Sequence, residues 1–363
     1  MYKQELKAIE KANLYRSREI YHDSLIDLAS NDYLGLAEDF DIFDKAVEEV
    51  RNYRVHSPKA SQLVNGYHDI HQQFENYLKW RNGFEDAIVV GSGFLANLSL
   101  IETLPRKKDI LILDEEYHAS GILASKLVAC EVFFFKHNDA QDLKQILERK
   151  TYQRAIVAVE GIYSMAGDVL EKEIFTICDD FHAIMIVDEA HSSGVLGDDF
   201  LGVFTYHDIT PTPNYIKMGT LGKAMGSYGA YILASAEIIS FLENRAKAIV
   251  YATAPSVFDI ALAHQALLKI EEKVEEFQIK KLARIAMAKE IFDVEIEGLI
   301  LKIEVGDSQK VMALKAYALQ EGFLIGAIRP PTVKSGILRI ILRLNISEDV
   351  LREFLKKLKG KLS

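Results

Sequence analysis

The chain has 363 residues, nearly half of them apolar and about a quarter charged, which suits a globular protein with one large domain and a smaller one. Its 43 Lys and Arg against 53 Asp and Glu leave a formal charge of −10, which argues against a general nucleic-acid binder while leaving room for a local basic pocket. Two cysteines, Cys130 and Cys178, exclude a disulfide framework and suit a reducing compartment.

Met1 to Arg18 mixes Lys, Glu and Arg and has no apolar h-region, so no signal peptide is expected. The longest apolar stretch, Ala87 to Ile101, is interrupted by Gly91, Ser92, Gly93, Asn97 and Ser99. It falls short of the roughly 18 uninterrupted residues of a membrane span. A soluble, cytoplasmic chain is the expectation.

From about residue 84, short continuous apolar runs alternate with amphipathic segments: Ala87–Val90, Ile110–Leu113, Val132–Phe135, Ala155–Val159 and Ala183–Val187. Continuous runs suit strands buried on both faces of a parallel sheet. The intervening stretches, such as Ala140–Lys150 and Glu171–Asp180, read as helices, so the pattern predicts an α/β layered domain. After Thr253 the pattern changes to a long charged helix over about Phe258–Phe292, a strand Leu299–Val305 and a helix Gln309–Glu321. Strands Phe323–Ile328 and Ile337–Leu344 and a basic amphipathic tail from Ser347 complete a smaller α+β unit.

Ligands of open α/β sheets bind at the carboxyl ends of the strands. There the chain places Gly91-Ser92-Gly93-Phe94, Asp114 and His118, Glu160 and Ser164, Asp188-Glu189-Ala190-His191, and, after Tyr215–Met218, Gly219-Thr220-Leu221-Gly222-Lys223. Gly91 to Ala96 also fits the G-x-G-x-x-A dinucleotide fingerprint, with Asp114 as its ribose acid. More than eighty residues precede this turn, however, and a helix start with two glycines binds any anion. Asp188 to His191 spells a helicase-type box, but the chain has no G-x-x-x-x-G-K-[ST] loop. His68 and His71 lack further ligands at fitting spacing, so no metal site is expected.

Together these segments resemble the α-oxoamine synthases, pyridoxal-phosphate enzymes of the aspartate-aminotransferase fold (fold type I). The resemblance runs from Ser30-Asn31-Asp32-Tyr33-Leu34-Gly35-Leu36 to Leu338-Arg339-Ile340. It passes through Ser92-Gly93-Phe94 with Asn97, Tyr117-His118-Ala119-Ser120, His137-Asn138-Asp139, Glu160 to Asp168, Val187 to His191 and Thr220 to Lys223. It implies an N-terminal segment 1–45 joined to the small domain, a large cofactor-binding domain 46–255 with a mostly parallel sheet, and a small α+β domain 256–363. Ala327-Ile328-Arg329-Pro330-Pro331-Thr332-Val333 is similar to the biotin-pathway branch, which condenses L-alanine with a pimeloyl thioester of coenzyme A or acyl carrier protein. Branches joining glycine to acetyl or succinyl thioesters are the nearest alternative.

By the same resemblance, Lys223 attaches the cofactor and acts as base, Asp188 meets the ring nitrogen, His191 the phenolic oxygen, and His118 stacks on the ring. Gly93 and Phe94 give N–H groups to the phosphate, Thr220 and Ser164 add hydroxyls, and Thr253 reaches the phosphate of the neighbouring subunit. That last role implies a homodimer with active sites at its interface. Arg339 holds the amino-acid carboxylate, and Asn31, Thr332 and Arg16 (or Arg18) are the remaining substrate candidates. Plainer duties remain open for each: a solvated Lys, a capping Asp, a loop His, a hydroxyl that caps backbone. The segment His56 to Gln62 lacks the glycines usual in relatives, and Pro331 to Arg339 is about two residues shorter.

Overall fold

Along each apolar run the side chains alternate between two cores. Val157 and Val159 join one, while Ile156 and Ala158 join the other; Met185 and Val187 divide from Ile186 in the same way. A strand buried on both faces needs no polar side, which is why the runs are continuous. The computed structural model describes residues 1–11, 15–16 and 18–362. Its strands in chain order are β1 (Ile26–Leu28), β2 (Asp86–Val90), β3 (Ile110–Asp114), β4 (Glu131–Phe135), β5 (Ala155–Glu160) and β6 (Ile184–Asp188). Then follow β7 (Tyr215–Thr220), β8 (Ala230–Ala234), β9 (Ile300–Gly306), β10 (Phe323–Ile328) and β11 (Gly336–Ile341).

Seven strands form the large sheet in the order β2-β8-β7-β6-β5-β3-β4. All neighbours are parallel except β8, which runs against both β2 and β7. The small sheet has the order β1-β10-β11-β9, with β1 parallel to β10 and the other pairs antiparallel. The N-terminal strand therefore shares a sheet with the C-terminal part of the chain, and one continuous core includes Val157 of the large sheet and Ile340 of the small one. The chain is a mostly parallel α/β structure with a smaller α+β part, as its sequence pattern predicts.

Local signals place the helices. Ser92 caps Gly93–Thr103 by accepting from the Leu95 N–H, and Asp139 caps Ala140–Arg149 through the Asp142 N–H. The expected helix Phe258–Phe292 is instead two, Val257–Glu272 and Val274–Phe292, broken at Lys273. No glycine or proline marks the break. The first helix packs on Phe40–Arg51 and Asp69–Asn82, the second on Glu348–Leu362, and the change of partner bends the chain. Among the described residues no helix is long and apolar enough to cross a membrane.

Candidate active site

The floor of the site is the carboxyl edge of β5, β6 and β7. Register aligns Glu160 with Asp188 and Asp188 with Met218. Asp188 is buried; its Oδ2 accepts from Asn97 Nδ2 at 2.8 Å and its Oδ1 from the Ala190 N–H at 3.0 Å. Asn97 is fixed in turn, since its Oδ1 accepts from the Tyr117 hydroxyl at 2.5 Å and its amide also donates to Ser120 Oγ at 3.0 Å. Ser120 Oγ lies 2.6 Å from Nδ1 of His118, whose ring is exposed at the rim.

Lys223 follows β7, half-buried, with Nζ 2.7 Å from Nε2 of His191. Nδ1 of the same imidazole shares a 2.5 Å hydrogen bond with the Tyr33 hydroxyl. Burial lowers the Lys223 ammonium to about 8 against the pull of Asp188, with Arg339 adding to the drop. His191 is buried, and that burial, followed by the nearby charges of Lys223, Arg339 and His118, keeps it well below the ordinary histidine range. Its ring is therefore neutral and able to accept from the amine.

At the end of β2, the first N–H groups of the helix Gly93–Thr103 have no intrahelical partner. An added Cβ on Gly93 would stand 3.7 Å from Thr220 Cβ, so the glycine and Thr220 close on one another across the strand ends. Thr220 Oγ1 donates to the Gly229 carbonyl at 3.1 Å. A helix start of this kind takes a phosphate.

Arg339 enters from β11 of the small sheet. It is buried, its Nε donates to the Ser164 carbonyl at 2.7 Å, and its Nη2 is buried without a partner. Its charge reaches Lys223, His191 and Tyr33. Arg343, four residues on, is instead consumed by Asp32, Asp27 and Glu38. Of the remaining candidates, Asn31 accepts a 3.5 Å contact from the Tyr33 hydroxyl, whereas Phe94, Thr253, Thr332 and Arg16 are exposed. The structure gives Arg16 no link to the groups above.

Four residues without an assigned sequence role belong to this cluster: Tyr33, Asn97, Tyr117 and Glu160. Asn97 stands one helical turn after Gly93, a spacing that puts both on the side of the helix facing the strand ends. Glu160 closes an apolar run as Asp188 does. The His56–Gln62 segment leads into a turn, Gln62–Gly66, in which Gly66 is required: a Cβ there would lie 2.0 Å from the Ala60 carbonyl oxygen.

The rival readings lose their residues to structural duties. Asp114 is fully buried and accepts from Tyr163 Oη at 2.8 Å and the Asn138 N–H at 2.8 Å, with His137 Nδ1 at 3.0 Å, so it is not free to hold a ribose. Glu189 points away from Asp188, as alternation requires, and takes the Val203 N–H beside the buried Lys217. His71 Nδ1 accepts from the His68 N–H and its Nε2 pairs with the Pro255 carbonyl.

The cluster fits pyridoxal phosphate. It supplies an amine that ionises near neutrality, a buried carboxylate, an anion-binding helix start, and two buried polar atoms with open valences, on Glu160 and Arg339. The sequence matches the aminotransferase class I and II family over residues 23–358. It is 40% identical to the 8-amino-7-oxononanoate synthase of Helicobacter pylori (strain ATCC 700392 / 26695), over 97% of this chain and 95% of that one. It is 37% identical to a putative 8-amino-7-oxononanoate synthase of Aquifex aeolicus, over 99% and 96% of the two chains. The fold superposes on the 8-amino-7-oxononanoate synthase structure from Francisella tularensis with a TM-score of 0.79, 26% identity, and coverage of 93% and 98%. Serine palmitoyltransferase of Sphingomonas wittichii shares the fold with a TM-score of 0.88 at 23% identity, covering 99% and 95%.

Proposed function

The chain belongs to the aminotransferase class I and II family and, within it, to the 8-amino-7-oxononanoate synthases, and from that premise we propose how its cleft works. It is a pyridoxal-phosphate-dependent acyltransferase of biotin biosynthesis. It joins L-alanine to a pimeloyl thioester of coenzyme A or acyl carrier protein, with loss of CO2 and release of the thiol. The observation that carries this reading is the Lys223 amine at the sheet's carboxyl edge, 2.7 Å from His191 Nε2, with the buried Asp188 ending the neighbouring strand β6.

When bound, pyridoxal phosphate supplies an electron sink for the pair left behind as the Cα proton departs. Lys223 would hold the cofactor through its amine and, as a free amine beside bound alanine, would take the Cα proton at Nζ. A depressed ammonium favours both tasks, since each needs the free base. Asp188, held by Asn97 and Ala190, would pair with the ring nitrogen of the bound cofactor and keep it protonated. His118 would pack on the ring of the bound cofactor, and His191, which orients Lys223 at 2.7 Å, would hydrogen-bond the phenolic oxygen. Gly93, Phe94, Thr220 and Ser164 hold the cofactor's polar groups.

Arg339 takes the alanine carboxylate; one guanidinium nitrogen is tied to Ser164 and another is buried and open. Asn31, Thr332 and Arg16 line the approach of the acyl chain. The protein works in the cytoplasm as a homodimer, with Thr253 completing the phosphate site of the neighbouring subunit. Large side chains left exposed near cleft positions support this pairing: Phe94 (47%), Tyr228 (61%) and Tyr251 (81%).

The test is an absorbance spectrum of the purified protein before and after L-alanine, followed by borohydride reduction and peptide mass spectrometry. A cofactor fixed to the Lys223 peptide, with a spectral change on adding alanine, is the expected outcome. Label elsewhere, or a response to glycine with acetyl-CoA but none to alanine, overturns it.

A further inference from the structure

Glu160 ends β5 directly beside Asp188, its register partner on β6, and both carboxyls are buried. Their surroundings differ. Asp188 receives a donor on each oxygen, from Asn97 and from Ala190. Glu160 receives one, the Ser164 N–H at 3.2 Å on Oε2, while Oε1 is buried with no partner. Of two buried carboxyls that repel one another, one has its pKa strongly raised, and fewer donors favour Glu160 as that one. The charged groups facing Glu160 are Asp188, Lys223 and Asp114. Burial and the neighbouring Asp188 push its carboxyl well above the usual range, and Lys223 opposes them without prevailing.

That single hydrogen bond of Glu160 leads on to Arg339. Glu160 Oε2 holds the Ser164 N–H, and the Ser164 carbonyl holds Arg339 Nε at 2.7 Å. One residue thus ties the large sheet to the loop that aims an arginine of the small sheet. We propose that Glu160 is a positioning residue, kept in the cleft as a neutral carboxylic acid. It leaves Asp188 as the anion of the site, and it anchors through Ser164 the peptide that aims Arg339. Protonation also lowers the cost of burying this group, because a neutral carboxyl is far cheaper to take out of water than a carboxylate.

The part played by Arg339 rests on the function proposed above; the protonation state of Glu160 does not. Infrared difference spectra of the wild type against Glu160→Gln, on holoenzyme and on cofactor-free protein, test the latter directly. A carbonyl stretch of a buried protonated carboxyl, present in the wild type near neutral pH and missing from the variant, is expected. Its absence from the wild type overturns the proposal. In the holoenzyme, the cofactor's spectral titration should move by less than about 0.3 pH unit in Glu160→Gln, because one neutral group replaces another. A shift of about one unit or more identifies Glu160 as an anion and also overturns it. Glu160→Ala frees Ser164 and should raise the alanine KM about 10-fold, a loss that Glu160→Gln largely restores. Should the alanine variant not fold, the glutamine spectra still decide the question. A protein without cofactor absorbance would undo the functional reading while leaving the infrared result intact.

Discussion

Arg339 donates through Nε to the Ser164 carbonyl at 2.7 Å, and this bond joins a strand of the small sheet to a loop of the large one. The contact holds the guanidinium from one side while Nη2 stays buried without a hydrogen-bond partner. A planar fork held by a carbonyl is a geometry that lysine cannot reproduce.

Arg339→Lys should therefore raise the KM for alanine by about 10- to 100-fold, with a smaller fall in kcat. Steady-state kinetics at saturating thioester measure it. An unchanged KM would move the carboxylate site elsewhere. Arg343→Lys should instead lower thermal stability, because the buried Arg343 donates to the carbonyl and carboxylate of Asp32, the Asp27 carbonyl and the Glu38 carboxylate.

Lys223→Ala should lose turnover by about 10³-fold or more, since attachment and proton removal both depend on its amine. The amine itself can be titrated in cofactor-free protein. Selective acylation of Lys223 should follow an apparent pKa of about 8, against 10.5 for an ordinary lysine. A midpoint near 10.5 would show that the cleft does not depress it.

Asn97→Leu removes the 2.8 Å donor to Asp188 and the acceptor of Tyr117 together. A hydrogen bond to a buried charge is worth about 1.5–3 kcal/mol, so cofactor affinity should fall by about 10- to 100-fold. Equilibrium dialysis against pyridoxal phosphate checks this. Binding equal to wild type would mean that Asp188 needs no support from Asn97.

His137 gives the fold a pH dependence. Burial disfavours its charged ring, but hydrogen bonds to Asp114 and Asp168, reinforced by both carboxylate charges, outweigh burial and raise it to about 10 from 6.5. A histidine raised on folding stabilises fully below its unfolded value and loses that contribution as pH climbs through the folded one. The gap in Tm between wild type and His137→Gln should thus be widest below about pH 6.5 and close toward about pH 10. A gap that does not vary across this range would mean that the ring is not charged in the folded protein.

The sequence by itself determined the layers and the list of chemical groups. Continuous apolar runs such as Ala155–Val159 can be buried only on both faces, and the residues ending them, Asp188 and Lys223 among them, fall at the binding edge of any parallel sheet. The helix start at Gly93 was legible from its glycine turn and the helix over Ala140–Lys150 from its amphipathic pattern, and Ser92 and Asp139 cap them in the structure. Tertiary structure alone decided who meets whom. Tyr33 and His191 lie 158 residues apart, Asn97 and Asp188 lie 91 apart, and no local signal joins either pair. The same holds for the insertion of β8 between β2 and β7 and for the pairing of β1 with β10. The reason is physical: caps and periodicity act over a few residues, whereas strand order and register arise from the burial of the whole core at once.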